Sequence, residues 1–243
     1  MLKDEDPLCL LMMCAISGAC RVLLGESSVW SSRRHPTMII AVLGATGPTG
    51  KLFAALALEK GHAVVALVRN ASKLEANHNK LQVVVGDATD AHAVAKVVNG
   101  ADVVVSCLGF VPGDAPMMKT AFQNILSAAR KQATRPRCVL MTTMGVGGTS
   151  YHCKLILSLF VAGIGVIADY EEADALVRCN GEVPYVVVRP AHLMDGPSTD
   201  KYTTSLEGFY HIAMQISRAD VASFLLRAAS SAEFENQAVQ LFT

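Results

Sequence analysis

The stretch Gly44-Ala-Thr-Gly-Pro-Thr-Gly50 follows the apolar run Met38-Ile-Ile-Ala-Val-Leu43. Glycines at this spacing suit a turn that receives a pair of linked phosphates. Gly44 permits the tight turn, Gly47 lets the backbone come close to a pyrophosphate, and Gly50 lets the following helix pack against the strand. A helix starting here offers unpaired N–H groups and a partial positive charge. Thr46 and Thr49 add hydroxyl donors, and Pro48 sits where a missing N–H costs little. The same glycines could form a purely structural turn. The apolar strand pattern before them and the helical pattern after them are the context that favours a dinucleotide.

Other residues extend this chemistry along the ends of the predicted strands. An acid at the end of the second strand would suit the free ribose hydroxyls of NAD. Arg69 stands there instead, followed by Asn70, Ala71, Ser72 and Lys73. A guanidinium can grip a 2′-phosphate and stack on adenine. Lys73 adds a second cation and Ser72 a hydroxyl, so NADPH is the expected cofactor. Asp87, after the third strand, reads equally as a cap on the adenine pocket or as a turn cap. Leu108-Gly109 ends the fourth strand, where glycine lets the chain pass close to the ribose and nicotinamide. Thr142 and Thr143 end the fifth strand and should face the nicotinamide. His192 follows the sixth, and its imidazole could donate or steer a proton. Thr143 and His192 read equally as local hydrogen-bonding and loop residues.

The common short-chain dehydrogenase mechanism needs a Tyr and a Lys four apart on one helix face, the Lys lowering the phenol pKa. Tyr170, Tyr185, Tyr202 and Tyr210 have Asp174, Arg189, Leu206 and Met214 at that spacing, and Tyr151 and Lys154 are only three apart. The acids Asp169, Glu171, Glu172 and Asp174 read as a solvated helix face.

These residues need a scaffold of alternating strands and helices. Apolar runs at Ile39–Leu43, Ala63–Val68, Leu81–Val85, Asp102–Cys107, Arg137–Thr142 and Val183–Val188 read as strands, with Ala238–Phe242 as a last one. Helical patterns fall at Thr49–Lys60, Asp90–Val98, Pro116–Gln132, within His152–Asn180, and at Arg218–Ala229. Gly61 closes the first helix. Val64–Val68 in the second run and Val103–Val105 in the fourth are fully apolar, as in parallel strands covered on both faces. The expected fold is α/β, a Rossmann-type doubly wound parallel sheet in a single domain, with strand order 3-2-1-4-5-6. The loops Gly145–Ser150 and Asp195–Gly208 leave carboxyl ends of strands, where ligands bind in such sheets.

Composition bounds the rest. Of 243 residues, 51% are hydrophobic and 17% charged, which suits a large core rather than disorder. Lys+Arg and Asp+Glu are both 21, with no basic stretch interleaved with aromatics, so nucleic acid is not expected as a partner. The seven cysteines form no C-x-x-C and no zinc-spaced cluster, so no metal is expected and small buried thiols are the plain reading. Residues 1–37 lie outside the expected domain, which runs from 38 to 243. Leu8 to Leu24 is apolar but shorter than a membrane span. The acidic Lys3-Asp-Glu-Asp6 is atypical of secretory and mitochondrial leaders. The readings are an atypical organellar targeting segment, a dispensable tail, or a partner- or membrane-surface helix. Without a targeting role for them, the expected location is cytoplasmic.

Taken together, the chain from Met38 onward resembles the atypical short-chain dehydrogenases with an NAD(P)-binding, NmrA-like domain, and most resembles their NADPH-dependent flavin reductase (biliverdin-IXβ reductase) branch. The resemblance rests on Ile40–Gly50, Leu67-Val-Arg-Asn-Ala-Ser-Lys-Leu74, Val84-Val-Gly-Asp87, Arg189-Pro-Ala-His192, Ile216-Ser-Arg-Ala-Asp-Val-Ala222 and Phe224-Leu-Leu-Arg227. It implies that Gly44, Thr46, Gly47, Pro48, Thr49 and Gly50 bind the diphosphate, and that Arg69, Ser72 and Lys73 bind the 2′-phosphate. It puts Asp87 and Ala88 by adenine, Leu108 and Gly109 by the ribose, and Thr142 and Pro190 along the cofactor. It makes Thr143 and His192 the catalytic-side residues, Thr143 standing where the branch has a serine. The implied activity is hydride transfer from NADPH to a planar acceptor such as a flavin, quinone or bilin. The competing reading is a non-enzymatic NADP(H) sensor of the NmrA type. The oligomeric state stays open, a monomer included.

Overall fold

Strands that carry apolar side chains on both faces are stable only when helices cover both sides of the sheet. The computed structural model, which describes residues 36–74, 78–111, 113–147, 164–206 and 214–243, has that architecture. In chain order the elements are β1 (Ile39–Leu43), α1 (Pro48–Glu59), β2 (Ala63–Val68), a 3₁₀ turn (Ala71–Lys73), β3 (Leu81–Val85), α2 (Ala91–Val98), β4 (Val103–Ser106), α3 (Met118–Arg130) and β5 (Arg137–Met141). They continue with α4 (Ile164–Arg178), β6 (Tyr185–Pro190), β7 (His192–Met194), β8 (Thr203–Ser205), β9 (Gln215–Ser217), α5 (Arg218–Ser230) and β10 (Gln237–Phe242). The main sheet has eight strands in the order β3-β2-β1-β4-β5-β6-β10-β8. All its neighbours run parallel except β8, which lies antiparallel on β10. The first six strands thus take the expected 3-2-1-4-5-6 order. The short β7, β8 and β9 are additions that the loop reading of Asp195–Gly208 and its surroundings did not anticipate; β7 and β9 pair parallel to each other outside the main sheet.

Alternation along each strand sorts the core into two layers. Ile40, Val42, Val64, Val105, Val139 and Val188 pack on Phe53 of α1 and on Phe224 and Leu225 of α5. Ala41, Leu43, Val104, Leu140 and Val187 pack on Val94 of α2, Phe122 and Ile125 of α3, and Ala173 and Val177 of α4. Each fully buried large side chain contributes about 1.5–3 kcal/mol; truncating Phe53 to alanine costs about 3–5 kcal/mol. β4 is buried along its whole length, as expected, but Ala63 and Val65 of β2 are only half-buried. The cause is position: β3 is an edge strand with Val83 and Val85 exposed, so helix cover thins out toward that side.

Local signals set the helix ends. Gly61 has φ +86°. Its N–H reaches the Leu58 carbonyl and that of His62 reaches Ala57, the paired bonds of a Schellman C-terminus. Asp90 caps α2 by accepting from the His92 N–H at 2.8 Å. Ser217 caps α5 by accepting from the Asp220 N–H at 2.9 Å while its hydroxyl donates back to the Asp220 carboxylate.

Candidate functional site

The turn after β1 is built by steric necessity. Gly44 has φ +82°, and a β-carbon there would lie 2.8 Å from the Cys107 carbonyl. A β-carbon on Gly50 would lie 2.1 Å from the Gly44 carbonyl oxygen. These two glycines are therefore fixed by the protein's own backbone, one by the β4 end and one by helix–strand packing. Gly47 differs: its nearest neighbour would be 3.4 Å away, so its small size leaves open room outside. Gly47 is the N-cap of α1, with no side-chain cap and no acid in the first turn, and Pro48 opens the helix. Nothing on α1 itself neutralises its N-terminal dipole. Thr49 is buried and Thr46 half-buried beside it.

The β2 and β3 ends flank this turn on one side. Arg69 is exposed and its Nη1 donates to Asp114 Oδ2 at 2.8 Å. That hydrogen bond, and then the carboxylate's charge, raise the guanidinium pKa further. The Ser72 hydroxyl donates to Asn70 Oδ1 at 2.8 Å, so it is engaged in a local turn. Lys73 is exposed. Asp87 accepts from the Thr89 N–H and hydroxyl at 2.8 and 2.7 Å, and these bonds hold its carboxyl below the usual range. Its turn-cap reading is thus visible in the geometry. Ala88 is buried, and its carbonyl accepts from Asn124 of α3 at 3.1 Å.

The β4, β5 and β6 ends flank it on the other side. Leu108 and Gly109 are half-buried. The next N–H, of Phe110, donates to the Tyr170 hydroxyl at 2.8 Å, and burial pushes the Tyr170 phenol up. Thr142 is 4% exposed and its hydroxyl oxygen is buried without a hydrogen-bond partner among the described residues. Its N–H extends the ladder to Val188. Thr143 is half-buried and donates to the Met144 carbonyl at 3.2 Å. Pro190 is buried, and its carbonyl accepts from the Met144 N–H at 3.0 Å. His192 is exposed on β7. The turn, Arg69, Leu108–Gly109, Thr142 and Pro190 thus share the carboxyl edge of the sheet. Tyr151, Lys154 and the end of the Gly145–Ser150 loop lie outside the described residues.

The solvated-face expectation for the acids of α4 holds for the exposed Glu172 and fails for Asp174, with Asp169 and Glu171 half-buried. Asp174 is fully buried and binds Arg189 through two bonds of 2.9 and 2.8 Å, and Arg178 through one of 2.6 Å. Arg189 lies against Gly147, where a β-carbon would sit 1.8 Å from the guanidinium. Glu171 accepts from the Gly147 N–H at 3.1 Å. Asp169 accepts from the Met118 and Lys119 N–H groups at 2.7 and 3.0 Å, capping α3 from outside. Glu172 pairs with Lys119 at 2.6 Å. A signal was present: an arginine inside the apolar strand Tyr-Val-Val-Val-Arg-Pro must find a buried acid. Asp220 was missed in the same way. It is 1% exposed and accepts from Ser198, from the Thr199 N–H and hydroxyl, and from the Asp200 N–H at 2.7–3.1 Å. Burial alone would raise its pKa, but the bonds from Ser217, Asp200, Ser198 and Thr199 outweigh it and hold it low.

Cys107 and Cys138 are buried thiols pushed up to about 12 by burial, while Cys179 is exposed, against the expectation of buried thiols throughout. Among the described residues no cluster of His, Cys, Asp and Glu could hold a metal, and no helix is long and apolar enough to cross a membrane.

Residues 44–232 match the family model described as NAD(P)H-binding. The chain is 30% identical over 220 residues to an uncharacterized chloroplastic protein of Arabidopsis thaliana, covering 84% of this chain and 76% of that one. Its fold is similar to that of ChuY, an anaerobillin reductase from Escherichia coli O157:H7, at 25% identity and a TM-score of 0.70, covering 84% of this chain and 96% of the other. It is also similar to a short-chain dehydrogenase/reductase of Veillonella parvula in complex with NADP, at 19% identity and a TM-score of 0.70, covering 84% and 94%.

Proposed function

The chain belongs to the NAD(P)H-binding family, and we propose that it is an NADPH-dependent oxidoreductase that reduces a planar acceptor such as a flavin, quinone or bilin. The observation that carries this is the carboxyl edge of the sheet. An uncapped helix N-terminus at Gly47 and an orphaned Thr142 hydroxyl stand on the same edge, where a dinucleotide would engage both. The residues fit such a group. Backbone N–H groups at the start of α1 would hold the diphosphate, with Thr46 and Thr49 beside them. Arg69 and Lys73 would hold the 2′-phosphate. Asp87 and Ala88 would lie by adenine, Leu108 and Gly109 by the ribose, and Thr142 and Pro190 by the nicotinamide end.

When bound, the nicotinamide supplies a hydride. The chain's own residues orient and enclose. Tyr170 fixes the turn at Phe110, and Pro190 ties down Met144. Thr143 offers a hydroxyl on the acceptor side, and the exposed His192 can hand a proton to the reduced acceptor. Tyr170 is not a proton donor of the usual kind, since burial raises its pKa and Asp174 rather than a lysine lies four residues on. Hydride transfer to a stacked ring system asks mainly for alignment, and the similarity to an anaerobillin reductase supports a tetrapyrrole-like acceptor. The same Tyr170 environment also suits the second reading, an NADP(H) sensor without turnover.

The chloroplastic name of the plant relative supports residues 1–37 as an organelle-targeting segment, with the catalytic domain beginning at Met38. Tagged chains with and without residues 1–37 should then localise differently. NADPH oxidation against a panel of flavins, quinones and bilins tests the activity; tight NADPH binding with no turnover on any acceptor would favour the sensor. Arg69→Ala should weaken NADPH about tenfold and NADH much less, since it removes a charge-assisted bond. Equal losses would overturn the choice of NADPH.

A further inference from the structure

Arg69 lies just beyond β2, and Asp114 lies in the segment between β4 and α3. Strands β2 and β4 are the two neighbours of β1. The 2.8 Å bond between Arg69 and Asp114 therefore joins the segments that leave the two strands flanking β1, at the carboxyl edge of the sheet. Both side chains are well exposed, 58% and 37%, and an ion pair this open adds little to stability. Its place, however, is the place of the proposed cofactor, and its cation is the proposed 2′-phosphate ligand.

From this we infer that Asp114 is a specificity-determining residue that stands in for the 2′-phosphate and so narrows the preference for NADPH over NADH. The inference rests on the NADP(H) reading above. Asp114 engages one N–H of the guanidinium. A 2′-phosphate reaching Arg69 either displaces this carboxylate or lies beside its charge, and both oppose the phosphorylated nucleotide. An unphosphorylated ribose meets neither obstacle, because its 2′-hydroxyl can donate to a carboxylate. Asp87 is the other acid acting on Arg69, but its carboxylate is already held by Thr89. Asp114 has no such local partner among the described residues, which leaves it as the competitor.

The test is fluorescence titration of the full-length protein with NADPH and with NADH, for wild type, Asp114→Asn, Arg69→Met and the double variant. Asp114→Asn should lower the Kd ratio of NADPH to NADH about fivefold, the size of an exposed charge pair. Asp114→Lys should shift it further. In the Arg69→Met background the same Asp114→Asn change should shift the ratio by less than half as much. An unchanged or raised ratio in Asp114→Asn, or an undiminished shift without Arg69, overturns the role of Asp114 and leaves the cofactor reading standing. Wild-type protein that binds neither nucleotide overturns the cofactor reading, and this inference with it.

Discussion

Thr142→Val separates the fold's interest from the site's interest at a single position. The Thr142 side chain is almost wholly buried and its oxygen has no partner among the described residues. A buried hydroxyl left unsatisfied costs about 1–3 kcal/mol, whereas valine has nearly the same shape and at least equal preference for a strand end. Without cofactor, the substitution should therefore stabilise the protein by about 1–2 kcal/mol, since some of that cost is relieved by local relaxation. For a chain of this size, 1 kcal/mol moves Tm by about 2–4 °C, so a rise of roughly 2–8 °C is expected. If the hydroxyl is reserved for the dinucleotide, the same variant loses one hydrogen bond to it, about 1 kcal/mol or fivefold in Kd. Thermal unfolding of the cofactor-free protein and fluorescence titration with NADPH read the two effects separately. A lower Tm together with unchanged affinity would refute the reasoning, because it would mean that the hydroxyl already serves the fold.

Gly50→Ala places a methyl 2.1 Å from the Gly44 carbonyl and should cost about 1–3 kcal/mol by overpacking and abolish nucleotide binding. Gly61→Ala, with open space around it but φ +86°, should cost about 1–2 kcal/mol and leave the Kd alone; similar Kd values for both variants would count against the role of the turn. Asp174→Ala strips the buried partner from Arg189, which is 4% exposed, and should cost about 3–5 kcal/mol in denaturant unfolding. The apolar pair Asp174→Leu with Arg189→Met should recover most of that loss, and no recovery would argue against a desolvation cost. Asp220→Asn should lose about 1.5–3 kcal/mol at pH 7. Its folded pKa lies below the unfolded value, so the carboxylate's contribution is full above about pH 4 and fades as pH falls through the folded pKa. The gap between wild type and variant should therefore close at low pH, and a gap that stays constant with pH would refute the assignment.

The order of the six central strands was legible because it follows from local signals repeated along the chain: β-branched runs, glycine and aspartate at helix boundaries, and the handedness of crossovers. The glycine turn was legible for a stronger reason. Its residues are fixed by backbone contacts only a few residues or one strand away, so Gly44 and Gly50 mean the same thing in most settings. The four acids of α4 carried no such guarantee. A helix with Asp169, Glu171, Glu172 and Asp174 looks solvated by charge alone; the packing of α4 on α3 and β6 buries Asp174 and half-buries Asp169 and Glu171, while Glu172 stays exposed. The lone Arg189 in an apolar strand was the one long-range clue. Strands β7 to β9 were hidden for a different reason: at three residues each, they are too short to show a period.

The misread acids change how the proposed site is understood. Asp169 anchors the start of α3, Glu171 and the Asp174–Arg189 pair hold Gly147 after β5, and Tyr170 holds Phe110 after β4. One helix thus fixes segments that leave two adjacent strands, on the side of the sheet where an acceptor would meet the nicotinamide. Each of these hydrogen bonds ties a loop to α4 and so removes freedom from it. A reaction that needs its partners stacked and aligned, with little acid–base help, gains most from this kind of rigidity. Under the proposed function α4 takes a positioning role, and loosening it through Tyr170→Phe should lower the hydride-transfer rate more than nucleotide affinity.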